Sequence, residues 1–243
     1  VSRGNVTGSA RTNSSNYNIG YVAGTLTVTP ALLTYNATAA TSVYGTTPSV
    51  NAGTITGFVN SQNQASATTG TLTFTTAATS ASGVGSYAIN GGGLTANNGN
   101  YTFTQAAGNS TALTITPATL TITANNQSTT YGTALSLGTS AFTTGGLVNG
   151  DTVTATALKF SNSATVLATQ NAGTYSNSNG IIASAASGTG LANYSITYVA
   201  GNLSIATKSL TITASTQNST YGTAYSLGTS AFTTSGLVNS DAV

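Results

Sequence analysis

Ala112 to Ala124 reads ALTITPATLTITA. Leu and Ile alternate with Thr on both sides of Pro117. A period of two puts the aliphatic side chains on one face of an extended chain and the threonines on the other. That is a strand with one buried face. Proline lacks the N–H needed to continue a ladder, so the stretch predicts two strands meeting at Pro117 with no spacer. Such a junction is semi-rigid, unlike a Gly/Ser linker. Working outward, the same alternation recurs as TLTVT at 25–29, TLTFT at 71–75 and SLTIT at 209–213. Gly- and Asn-rich runs, NGGG at 90–93 and NNGN at 97–100, read as turns between strands. No stretch carries a helical period. The fold class expected is all-β: a tandem array of small two-sheet domains. An immunoglobulin-like sandwich is the first choice and a β-grasp-like module the alternative.

Self-comparison divides the chain. Tyr-Gly stands at 44–45, 131–132 and 221–222, and Asn-Tyr at 16–17, 100–101 and 193–194. LGTSAFTTGGLVNGD at 137–151 returns as LGTSAFTTSGLVNSD at 227–241, with only two Gly-to-Ser differences. Residues 30–116 and 117–206 form complete repeats. Residues 1–29 match the C-terminal part of a repeat, and 207–243 match the N-terminal part. The segment from Thr154 to Asn177 has no counterpart at either end, so the sequence predicts a window on a longer array.

Composition excludes several function classes. Of 243 residues, 4 are Lys or Arg and 2 are Asp or Glu; His and Cys are absent. Acid–base catalysis draws mainly on His, carboxylates, Lys, Tyr and Cys. The only acids are Asp151 and Asp241, too sparse for a zinc or calcium site. Arg3, Arg11, Lys159 and Lys208 make no basic face for nucleic acid. No catalytic, cofactor-binding or metal residue is assigned, no cofactor is expected, and the protein reads as not an enzyme. A third of the residues are hydroxylic, 51 Thr and 30 Ser, while 39% are hydrophobic. That balance suits solvated strands rather than a disordered coil. No apolar run is long enough for a transmembrane helix.

The TP-A-x-L-T-I-T-A opening, Tyr131-Gly132, Gly146–Asp151 and Asn193-Tyr194 through Ile205 together resemble the MBG domain of the YGX type. The resemblance implies tandem arrays in large secreted or surface-bound bacterial proteins similar to filamentous-haemagglutinin adhesins, and no catalytic residues. The first full repeat departs from the pattern: it has GFVNSQ at 57–62, ending in Gln62, and Tyr35 where Ile122 and Ile212 stand. Since that unit lacks the acid, Asp151 and Asp241 read as turn caps. The Tyr-Gly pairs read as tyrosines packed at strand ends, with Gly supplying a special backbone angle; where exposed they are adhesive contacts instead. An intramolecular isopeptide at Lys159 and ice binding by the threonine ranks are both disfavoured. Segments such as ALTIT carry a zipper signature, against which folded beads are expected.

The leading functional expectation is a non-catalytic structural region of a secreted bacterial surface adhesin, acting as a stalk or adhesive fibre. The alternative is a segment of an assembled extracellular filament or matrix, and the third a carbohydrate- or protein-binding module. Expected partners are neighbouring repeats, identical chains in a filament, and host or surface glycans or proteins, with no nucleic acid and no membrane span in this segment.

Overall fold

The computed structural model describes Asn18, Gly20 and residues 22–243. Arg3, Arg11 and the Asn16-Tyr17 pair lie outside the described residues. The first repeat contains β1 (Ala31–Ala37), β2 (Ala40–Val43), β3 (Gly53–Thr56), the short helix α1 (Gln64–Ala67), β4 (Thr68–Thr75), β5 (Gly85–Tyr87), β6 (Asn90–Ala96), β7 (Tyr101–Gln105) and β8 (Leu113–Thr116). The second contains β9 (Ala118–Ala124), β10 (Gln127–Thr130), β11 (Leu135–Ser136), β12 (Phe142–Gly145), β13 (Val153–Lys159), β14 (Thr165–Val166), β15 (Gly173–Tyr175), β16 (Ile182–Gly188), β17 (Tyr194–Val199) and β18 (Leu203–Ala206). β19 (Thr211–Ala214) and β20 (Phe232–Ser235) follow. The protein is all-β in tandem units, with several small sheets in each.

The two units share one wiring. In the first, the sheets run β3-β1-β7, β2-β8-β5 and β4-β6. In the second, they run β12-β9-β17, β10-β18-β15 and β13-β16, with an added β11-β14 pair. The opening strand pairs parallel with a strand near the end of its own unit: Leu33 faces Phe103, and Leu120 faces Ile196. β2 with β8 and β10 with β18 repeat this parallel pairing. A parallel pair needs a long crossover, and here the body of the repeat supplies it. Within the all-β class, this pairing differs from the antiparallel sheets of an immunoglobulin sandwich.

The alternation seen around Pro117 becomes burial. Leu113 and Ile115 on β8 and Leu120 and Ile122 on β9 are buried, while Thr114 and Thr119 face water. Each fully buried aliphatic side chain contributes about 1.5–3 kcal/mol relative to exposure. Where β1 bends into β2, buried Asn109 holds the chain. Its Oδ1 accepts from the Ala37 N–H (2.8 Å), and its Nδ2 donates to the Tyr35 carbonyl and to Gln105 Oε1 (both 2.9 Å).

Three sequence expectations change. NGGG at 90–93 is not a turn but part of β6. The reason is Tyr35, which replaces the smaller Ile122: its ring stacks on Phe103 at 5.4 Å, and Gly91 passes so close to it that a Cβ would overlap the Tyr35 side chain. TLTVT at 25–29 forms no strand, because among the described residues no equivalent of β2 lies beside it. A helical turn, α1, does occur. Asn63 caps it, accepting from the Ser66 N–H while Ser66 Oγ accepts from the Asn63 N–H. NNGN at 97–100 is a turn as expected, with Asn98 left-handed.

Candidate functional site

The short motifs that repeat along the chain meet where one repeat joins the next. The segment Val148–Asp151 is a tight turn with Asn149 and Gly150 both left-handed (φ 54° and 75°). The Asp151 N–H closes it on the Val148 carbonyl at 3.0 Å. Two positive φ values in succession are the signature of a type I′ turn, which Asn and Gly favour. Gly146 opens the motif because it crosses the Thr119 carbonyl with φ +99°, leaving no room for a Cβ.

This turn presents Asp151 to the preceding repeat. Tyr44 Oη donates to Asp151 Oδ2 at 2.9 Å, and Tyr194 Oη donates to the same oxygen at 2.8 Å. The two rings meet edge to face, centroids 5.5 Å apart at 85°, a contact worth about 0.5–1.5 kcal/mol. The Val148 N–H donates to Tyr194 Oη at 3.0 Å, so that hydroxyl is held from both sides. Burial raises the Tyr194 pKa above its ordinary value, and the adjacent Asp151 carboxylate raises it further, against the lowering effect of its backbone bond at Val148.

Gly45 completes the contact. With φ +89°, it lies flat on Val148, and a Cβ there would sit 2.6 Å from a Val148 methyl. Its N–H donates to the Ser80 carbonyl at 3.1 Å, and Asn149 Nδ2 donates to the same carbonyl from the next repeat at 2.9 Å. Asn193 Oδ1 accepts from the Val84 N–H at 2.9 Å. Tyr44 and Ile115 of the first repeat share one apolar cluster with Leu120, Ile122 and Tyr194 of the second. The core therefore runs through the junction, with Pro117 alone between β8 and β9.

The arrangement is used twice. Tyr131 Oη donates to Asp241 Oδ2 at 3.0 Å, and a Cβ on Gly132 (φ +85°) would meet Val238 at 2.7 Å. Asn239 Nδ2 and the Gly132 N–H both donate to the Ala168 carbonyl at 3.0 Å. The first repeat carries the same turn at Val59–Gln62, with Asn60 and Ser61 left-handed. There the amide of Gln62 stands in for the acid, and its Oε1 accepts from Tyr101 Oη at 2.7 Å.

A family model matches the chain twice, at residues 33–111 and 120–204, each span holding one Tyr-Gly pair and one turn motif. The chain belongs to the MBG domain (YGX type) family. No curated protein and no solved structure matches it.

In this MBG pair, Tyr44 and Tyr131 do pack at strand ends, but their hydroxyls act across the joint rather than within one unit. Asp151 does more than end a turn: the backbone closes the turn, and its carboxylate binds the tyrosines. Lys159 ends β13 with its side chain exposed, while the carboxylate an isopeptide would need is engaged by Tyr44 and Tyr194. No group of three metal-ligating side chains occurs among the described residues, and none of their helices is long and apolar enough to cross a membrane.

Proposed function

We propose that this chain is a non-catalytic stalk region of a large secreted bacterial surface adhesin, extending a cell-surface fibre and transmitting its orientation. The joint supports the reading most directly: side chains of one MBG repeat are hydrogen-bonded and packed into the next, across a one-residue linker. Such coupling resists bending, which a stalk requires and an independent binding module does not. Family membership adds the setting, since MBG domains are structural repeat modules typical of secreted surface proteins.

Small-angle scattering of the purified chain tests it. A compact 90-residue domain is roughly 30 Å across, so stiffly joined repeats give an elongated profile that one rigid conformation fits. The double variant Tyr44→Ala/Asp151→Ala should broaden that profile into an ensemble. A wild-type chain already as flexible as the variant would defeat the stalk reading.

A further inference from the structure

Each complete repeat is entered and left along neighbouring strands that point the same way. In the first repeat the entering segment is β1 and β2, and the leaving segment is β7 and β8. β1 lies parallel to β7, from Ala31 opposite Tyr101 to Tyr35 opposite Gln105. β2 lies parallel to β8, from Ala40 opposite Leu113 to Val43 opposite Thr116. The second repeat does the same. β9 runs beside β17 from Ala118 opposite Tyr194 to Thr123 opposite Val199. β10 runs beside β18 from Gln127 opposite Leu203 to Thr130 opposite Ala206.

Tension along the chain pulls an entering segment back toward its start and a leaving segment on toward its end. Parallel strands then slide past each other in opposite directions, so the bonds between them are loaded together rather than in turn. Those bonds span the whole pair. In the first repeat the Ala31 N–H donates to the Asn100 carbonyl at one end, and the Tyr44 N–H to the Thr116 carbonyl at the other, both at 2.9 Å. Between them the Ala106 N–H donates to the Tyr35 carbonyl at 2.9 Å, and the Ala40 N–H to the Ala112 carbonyl at 2.8 Å. In the second repeat the Gln127 and Tyr131 N–H groups donate to the Asn202 and Ala206 carbonyls, both at 2.9 Å.

An asparagine ties the two segments where they bend. Asn109 does so from the leaving side of the first repeat, through Ala37 and Tyr35. Asn126 does so from the entering side of the second, its Oδ1 accepting from the Asn202 N–H at 2.7 Å. Leu33, Leu113 and Ile115 in one repeat, and Leu120, Leu203 and Ile205 in the other, are buried against these ladders. One face of each ladder is thereby closed to water that would compete for its bonds. β8 passes to β9 through Pro117 alone, so load reaches the next pair without slack.

We propose that these paired segments make each repeat a clamp that bears tension along the chain by shear, with the body of the repeat, from Tyr44 to Asn100, off the load path. A stalk supplies the load, so the clamp rests on that reading for its purpose and on the strands alone for its geometry.

Single-molecule stretching of the full chain tests the proposal. The chain has no cysteine, so introduced cysteines give unique handles. Thr29→Cys with Pro117→Cys pulls the first repeat along the clamp. Thr29→Cys with Asn100→Cys pulls on the same end of β1 and β7 and peels them apart one bond at a time. All three positions are exposed, and Thr207 takes the place of Pro117 at the next junction. Forced unfolding follows the unfolding rate, and here that rate is set by the direction of the pull. The first pair of handles should hold to several times the force of the second. It should then yield in one step, freeing a segment about 300 Å long when extended at about 3.3–3.6 Å per residue. Equal forces in the two directions, or stepwise yielding along the clamp, overturn the proposal. Neither result alters a stiff scattering profile, whereas a flexible profile beside a strong clamp would defeat the stalk reading alone.

Discussion

Tyr44 and Asp151 stand 107 residues apart, yet their side chains are 2.9 Å apart, and Tyr194 shares the same carboxylate oxygen. One acid therefore ties a tyrosine from each of two MBG repeats. Hydrogen bonds to a charged acceptor contribute about 1.5–3 kcal/mol each. Asp151→Ala takes the shared acceptor from the hydroxyls of buried Tyr44 and Tyr194, leaving Tyr194 only the Val148 carbonyl at 3.2 Å, and should cost about 2–4 kcal/mol of unfolding free energy. Asp151→Asn keeps an oxygen in the site and should cost about 1 kcal/mol. Gln62 shows that an amide can fill this role, since it accepts from Tyr101. Urea titrations of both variants check the ranking; an equal loss would mean that the carboxylate merely fills space.

Tyr44→Phe separates the joint from the turn. It removes the hydroxyl but keeps the edge-to-face contact with Tyr194. The Tyr194–Asp151 bond remains, so the second repeat should keep its stability while its coupling to the first falls. Hydrogen exchange should quicken at Val84 and Gly45, whose N–H groups are bonded at the joint, and stay unchanged at Leu120 in the core of the second repeat. Uniform acceleration would show the two repeats melting as one unit.

These contacts mark where sequence reading stops. The strands around Pro117, the repeat boundaries and the family pattern are local regularities, and period-two alternation exposes them directly. The joint is not local. Tyr44 pairs with Asp151 and Tyr131 with Asp241, separations of 107 and 110 residues, which exceed a repeat. A comparison of units one against another therefore places Tyr-Gly and the acid in the same unit, whereas the working pair spans two. Gln62 added to the difficulty: a unit without the acid suggests that the acid is dispensable, when an amide is filling its place. The strand at Gly91 was hidden for another reason. Three glycines read as a turn unless the ring of Tyr35 is known to lie beneath them.

Gly45 should tolerate no side chain. Gly45→Ala places a Cβ 2.6 Å from a Val148 methyl and forces alanine to φ +89°. The backbone strain alone costs about 1–3 kcal/mol. The steric part should be relieved by Val148→Ala and the strain should not. A double-mutant cycle measures this directly: a coupling of about 0.5–3 kcal/mol is expected for residues in contact. Zero coupling would mean that Gly45 is needed for its backbone angle alone.

Asn109→Leu should be among the most damaging single changes in the first repeat. Asn109 is 3% exposed and bonded to Ala37, Tyr35 and Gln105. Leucine would leave the part-buried Ala37 N–H without its acceptor, at about 1–3 kcal/mol, while the Tyr35 carbonyl would keep its bond from the Ala106 N–H at 2.9 Å. The Ala37 amide should lose its exchange protection first, since its bond to Asn109 Oδ1 holds the bend between β1 and β2. Retained protection there would assign the bend to the strand ladders instead.

The response to pH follows from which groups titrate. The chain has no histidine, so melting should change little between pH 5 and 8. It should also change little with salt, because its tyrosine–carboxylate contacts lie well inside a screening length of roughly 8–10 Å. Alkaline conditions are different. Burial raises the pKa of Tyr194, helped by the Asp151 carboxylate, and burial raises that of Tyr35. A tyrosine whose pKa is higher folded than unfolded keeps its full contribution below the unfolded value, about 10. That contribution is lost as pH climbs through the folded value, because the unfolded chain gives up its proton first. Melting temperature should therefore fall above about pH 10. Tyr194→Phe should flatten the part of the fall that belongs to the joint, and Tyr35→Phe the part that belongs to the core of the first repeat. If both variants fall as steeply as the wild type, the alkaline transition belongs to neither tyrosine.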